Sequence, residues 1–130
     1  MESKIQTVQQ VYGEFGKGNV PGVLNLLHDD VSWSDPGYPE IPYAAKRNGK
    51  DEVMNFFIEM SSTVTFSQFE PRLFLNDGNF VVVKGFFAGK GNATGKIFES
   101  DWVMIWEVVD GKVKSYEAFV DTNKMVTAIK

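Results

Sequence analysis

Cysteine is missing from the 130 residues, and histidine occurs once, as His28. Without thiols there are no disulfides, no thiolate nucleophile, no iron–sulfur cluster and no cysteine-held zinc. Chemistry must come from oxygen and nitrogen groups, and neither a metal nor an organic cofactor is expected. Positive charge is also scarce: thirteen Lys and Arg stand against seventeen Asp and Glu, for a formal net charge of -4. The basic residues are scattered, so no electrostatic footprint for nucleic acid or an anionic membrane surface is present. No apolar run approaches the roughly 20 residues needed to cross a bilayer. The N-terminus lacks the basic-then-apolar pattern of a signal peptide, which makes the cytoplasm the expected location.

What the chain does have is apolar content, 43%. That amount in a chain of this length supports one domain over residues 1–130 with a substantial core. Ser3 with Gln6 forms a capping-box pattern, followed by Ile5, Val8, Val11, Tyr12 and Phe15 at helical spacing until Gly16 and Gly18. Asn19 and Pro21 open a second, short helix carrying Val23, Leu24 and Leu27, expected to end near His28. Val31 to Asp35 alternate like a strand that Pro36 and Gly37 terminate, so Trp33 and Asp35 point the same way. Residues 36–49 hold prolines and glycines together with Tyr38, Ile41 and Tyr43, and read as an irregular loop able to fold over a cavity. Asp51 and Glu52 suit the start of a third helix, on which Val53, Phe56, Phe57 and Met60 share a face.

From Val64 the period changes from helical to alternating. Turn signals at Asn76-Asp77-Gly78-Asn79, Gly89-Lys90-Gly91-Asn92 and Asp110-Gly111 separate long strands into an antiparallel meander. Pro71 marks an edge or a bulge, a device that curves a sheet. Asp121 precedes a short terminal helix and is placed to cap it. Between Ile97 and Val109 both strand faces are apolar: Phe98, Trp102, Met104 and Trp106 on one, Ile97, Asp101, Val103, Ile105 and Val109 on the other. A sheet covered on one side would alternate more cleanly. The expectation is a homodimer that buries the outer face, taken as Phe98, Trp102, Met104 and Trp106; a monomer with both faces covered by its own helices and loop is the alternative.

Helical and strand phase assign Tyr12, Phe15, Trp33, Phe56, Phe57 and Tyr116 to the wall of an apolar pocket, with Tyr43 at its loop entrance. Ordinary core packing is the alternative for the six wall residues, and anchoring the loop is the alternative for Tyr43, but buried phenols and indoles need polar partners, which a cavity with ordered water or a ligand supplies. Asp35 beside Trp33 in such a pocket is desolvated, which raises its pKa and suits it to remove a proton next to a carbonyl. An aspartate before proline also serves simply to open a turn.

The order of elements, and strings such as Gly18-Asn19-Val20-Pro21-Gly22, Leu26-Leu27-His28-Asp29-Asp30-Val31-Ser32-Trp33, Asp35-Pro36-Gly37, Thr94-Gly95-Lys96, Glu99-Ser100-Asp101-Trp102 and Asp110-Gly111-Lys112-Val113, resemble the SnoaL-like and ketosteroid-isomerase-like proteins of the nuclear-transport-factor-2-like superfamily. The resemblance implies an α+β fold: a cone-shaped, curved antiparallel sheet wrapped around helices, with an internal apolar pocket. It places Asp35 at the position of the ketosteroid isomerases' catalytic base and Asp101 near the protonated acid that holds the enolate, while their tyrosine aligns with Val11, one residue from Tyr12. It implies a small hydrophobic, carbonyl-bearing ligand, steroid-like or polyketide-like, and acid-base isomerisation or cyclisation. A dimeric ligand-binding module without turnover is the alternative. Histidine-dependent cyclase and dehydratase chemistry finds only His28 at a helix end. An epoxide-hydrolase pattern finds Glu99 and Ala118 where it needs arginine and aspartate.

Overall fold

The computed structural model describes residues 3–130. Helix α1 (Lys4–Gly16) starts at the expected capping box: the Ser3 hydroxyl accepts from the Gln6 backbone N–H at 3.1 Å, and the Gln6 side chain accepts from the Ser3 N–H at 2.8 Å. Its inner side buries Thr7, Val8 and Val11. Helix α2 (Val20–Leu24) is capped by Asn19 and stops at Leu24, earlier than the sequence suggests. Leu27 and His28 already belong to strand β1 (Leu27–Ser34), because Leu27 pairs with Val113 in the sheet. His28 bonds the Val109 carbonyl at 2.7 Å and takes no part in ending a helix.

After the loop come the short strand β2 (Lys46–Asn48) and helix α3 (Lys50–Thr63), whose Val53, Phe56 and Phe57 are buried. The meander follows as β3 (Val64–Asp77), β4 (Phe80–Gly91), β5 (Ile97–Val109) and β6 (Lys112–Val120). Helix α4 (Thr122–Ile129) closes the chain, with the Asp121 carboxylate accepting from the Lys124 N–H at 3.3 Å. The strands form one six-stranded curved sheet in the order β2-β1-β6-β5-β4-β3, in which β1 runs parallel to β6 and the other neighbours are antiparallel. Pro71 sits on the edge strand β3 at a register shift, as its lack of an N–H requires. None of the helices among the described residues is long and apolar enough to cross a membrane.

Which side of the sheet faces inward is decided on β4 and β5. Gly85 pairs with Trp102, and Gly89 with Phe98. A Cβ at Gly85 would overlap the Trp102 ring, and one at Gly89 would lie 2.8 Å from the Phe98 ring. The absent side chains make room for those rings on the concave side, against α1. Phe98, Trp102, Met104 and Trp106 are therefore core residues, all at most 7% exposed. The expected dimer face is thus the inner face, and the residues of the other pleat look outward. There Leu73, Leu75, Phe80 and Phe119 are exposed, and Val103 and Ile105 are half-buried.

Candidate active site

Strand β1 delivers the central carboxylate. Trp33 and Tyr116 are register partners across the parallel β1–β6 ladder, and their rings stack with centroids 4.0 Å apart. Two residues on, at the end of the strand and just before Pro36, Asp35 turns to the same side. The Tyr116 hydroxyl donates to Asp35 Oδ1 at 3.1 Å. Oδ2 is buried and has no hydrogen-bond partner. The residue as a whole is only partly covered, but the carboxylate oxygen itself is shut off from water, and it is the oxygen that carries the charge.

That burial pushes the Asp35 pKa up from 3.8 to about 7. The Tyr116 hydrogen bond, the Trp33 indole and the charge of Arg47 all oppose the rise without cancelling it. Among these, the indole N–H of Trp33 lies near the carboxylate yet completes no aligned hydrogen bond of its own. Burial likewise raises the pKa of Tyr116, with the Asp35 charge adding to it, so the phenol stays protonated and keeps donating. Tyr43 is raised for the same two reasons.

The cavity around Asp35 is lined by residues from every layer of the fold. Tyr12 and Phe15 come from α1, Trp33 from β1, Tyr43 from the loop, Phe56 and Phe57 from α3, and Tyr116 from β6. All seven aromatic positions expected on the wall are thus brought together. Val11 and Tyr12 both reach it, because the concave sheet wraps far enough around α1 to meet neighbouring faces of the helix. Not foreseen from the sequence are Met104 and Trp106, which follow from the reversed face of β5, and Phe66, Phe69, Phe87, Val120 and Met125, which β3, β4, the end of β6 and α4 add to the wall. The alternation of β4 and β5 around Gly85 and Gly89 was the signal for the inner face.

Tyr12 sits in a polar chain of its own. Its hydroxyl accepts from the Trp106 indole at 3.0 Å and donates to the Met104 sulfur at 3.2 Å, a weak acceptor. Burial holds its pKa above the usual phenol value.

Asp101 is not in this site. Next to the inward Trp102 on β5, it takes the opposite pleat by the two-residue period of a strand. It is exposed and lines a shallow groove with Lys84, Val103 and Phe119 on the convex side. The sheet separates it from Asp35. Asp35 is thus the one charged side chain on the cavity wall among the described residues. Among the described residues, no group of three His, Asp or Glu side chains could hold a metal ion.

The family model of the SnoaL-like domain matches residues 8–116. The chain belongs to the SnoaL-like family. Solved structures agree with the fold over its full extent. An NTF2-like protein of unknown function from Burkholderia pseudomallei K96243 is similar at 27% identity and a TM-score of 0.92, with 100% of this chain and 99% of that one covered. An NTF2-like protein from Burkholderia xenovorans LB400 is 30% identical, with a TM-score of 0.88 and coverage of 98% and 95%. TerC, co-crystallised with polyporic acid, shares 24% identity and a TM-score of 0.88 over 97% of each chain. No curated protein matches the sequence. For this SnoaL-like chain, then, the fold is fixed by its relatives and the chemistry rests on its own cavity.

Proposed function

We propose that the protein binds a small hydrophobic carbonyl compound, steroid-like or polyketide-like in its apolar character, and carries out an acid-base isomerisation or cyclisation with Asp35 as the base. The observation that carries this reading is the Asp35 carboxylate, the one carboxylate on the cavity wall among the described residues, anchored through Oδ1 by Tyr116 and unpartnered at Oδ2. A pKa near 7 matches a base that must both take and return a proton near neutrality. In the step, Oδ2 removes a proton from the carbon next to the carbonyl. The C–H electron pair forms a carbon–carbon double bond, and the carbonyl oxygen gains the negative charge. Returning the proton to another carbon completes an isomerisation.

The charge on that oxygen needs a donor. Tyr116 spends its proton on Asp35, and Asp101 is outside. Two phenols on the wall are left to donate: Tyr12, whose hydroxyl is polarised by the Trp106 N–H and points at a sulfur that a substrate oxygen easily outcompetes, and Tyr43, which burial keeps protonated. A small-molecule ligand is also in keeping with a structural neighbour crystallised with polyporic acid.

The test uses 3-cyclohexenone in D2O, followed by proton NMR. Wild type is expected to exchange and isomerise the ketone, and Asp35→Asn to lose at least about a hundredfold of that rate while still folding. A wild-type rate equal to buffer would leave only a binding module.

The outward apolar residues of the meander support a homodimer through the convex face, with Val103 and Ile105 at its centre. This is the opposite face from the one expected on sequence grounds.

A further inference from the structure

Asp35 is a buried acid that makes no ion pair among the described residues. The cation that acts on it, Arg47, is engaged elsewhere: Nη2 contacts Glu59 at 3.2 Å and the Tyr43 carbonyl at 3.5 Å, and Nη1 donates to the Glu52 carbonyl at 3.1 Å. Arg47 does not reach the cavity wall, and among the described residues no Lys, Arg or His does. Asp35, with no hydrogen bond at Oδ2, shares the cavity wall with the rings of Trp33, Tyr43, Phe56, Trp106 and Tyr116, supplied by the loop and four secondary-structure elements. Aromatic faces attract cations, and more strongly where water is excluded. One anionic oxygen within a wall of such rings offers a positive guest both an ion pair and a favourable surround, and repels carboxylates and phosphates.

We propose that this cavity is a receptor for a small organic ammonium ion, whose N–H donates to Asp35 Oδ2 while its alkyl groups lie against the aromatic wall. Such a guest takes the one oxygen that can act as a base, so an amine also competes with any carbonyl substrate. The proposal shares Asp35 with the function above but does not depend on turnover.

The groups facing Asp35 keep the pH behaviour simple. Tyr116 from β6, Tyr43 from the loop and Tyr12 from α1 have raised pKa values and stay protonated at neutral pH. Arg47 from β2 stays charged. The residues that α3 places on the wall, Phe56, Phe57 and Met60, do not titrate. Only Asp35 changes charge between pH 5.5 and 8 within this set.

tert-Butylammonium is titrated into the whole protein, followed by the indole N–H signals of the three tryptophans, with tert-butanol as the neutral isostere. The expected result is a saturable shift of the Trp33 signal. The apparent affinity should rise about 30-fold from pH 5.5 to pH 8, following the ionised fraction of a group titrating near 7. tert-Butanol on wild type, and tert-butylammonium on Asp35→Asn, should each bind at least about tenfold more weakly at pH 8. A Trp33 signal that does not move, an affinity flat with pH, or equal binding of the alcohol overturns the proposal. Ketone exchange measured without amine is read separately, so either reading can fail alone.

Discussion

Replacing Asp35 with asparagine should stabilise the fold, and by an amount that depends on pH. The folded-state pKa of about 7 lies above the ordinary 3.8, so the neutral acid is the form the cavity tolerates. Its contribution to stability is therefore fully present below pH 3.8 and is lost as pH rises through 7. A shift of about three units corresponds to about 4 kcal/mol when the group is fully ionised, with each unit worth about 1.4 kcal/mol. At pH 5 only about 1.7 kcal/mol of that has been lost. Asparagine keeps the shape and the acceptor for Tyr116 but never ionises. The stability gap between Asp35→Asn and wild type should thus widen by about 2.5 kcal/mol between pH 5 and pH 8. With a urea dependence of roughly 1–3 kcal/mol per molar, this separates the two midpoints by a further ~0.8–2.5 M. Urea denaturation of both proteins at the two pH values reads it directly. A gap that stays constant, or narrows, would refute the claim that the carboxylate is held in a water-poor site.

Three other variants probe the site, the sheet that carries it and the convex face. Tyr116→Phe removes the hydroxyl that favours the ionised carboxylate while keeping the stacked ring, so the Asp35 titration should move above 7, as a shifted pH profile of ketone exchange would report. Gly85→Ala places a methyl group into the Trp102 ring and should destabilise the protein by about 1–3 kcal/mol in thermal or urea unfolding, whereas an unchanged midpoint would mean that β4 and β5 do not approach as described. Val103→Lys with Ile105→Lys, on the convex face, should convert a dimer to a monomer in sedimentation without unfolding it. A wild-type chain that sediments as a monomer would remove the dimer from the account.

Local chemistry was legible in the sequence wherever a residue acts on its own neighbours. The Ser3 and Gln6 capping box, the Asp121 cap, the Pro71 edge and the aromatic face of α3 all stand where pattern and turn signals put them. So did the pairing of Trp33 with Asp35 on one side of β1, since a period of two needs no tertiary information. What the pattern did not contain was the direction in which the sheet curves. Both faces of β5 are apolar, and either can be wrapped around α1. The glycines that settle the matter, Gly85 and Gly89, act on rings of a different strand. One reversed choice then produced two errors, because taking the Trp102 face as outer also turned Asp101 inward. The parallel contact of β1 with β6 was equally out of reach, as it joins segments some eighty residues apart. It is that contact which brings Tyr116 to Asp35.

The proposed base and the proposed cation receptor both require one carboxylic acid that sits in a dry aromatic cavity and titrates near neutrality. The most direct test is the carbon-13 signal of the Asp35 carboxyl carbon, followed from pH 3 to pH 9 and assigned through Asp35→Asn. A midpoint near 7 is the expected result. A midpoint near 4, the value of an aspartate in open water, would contradict both the cavity and the base.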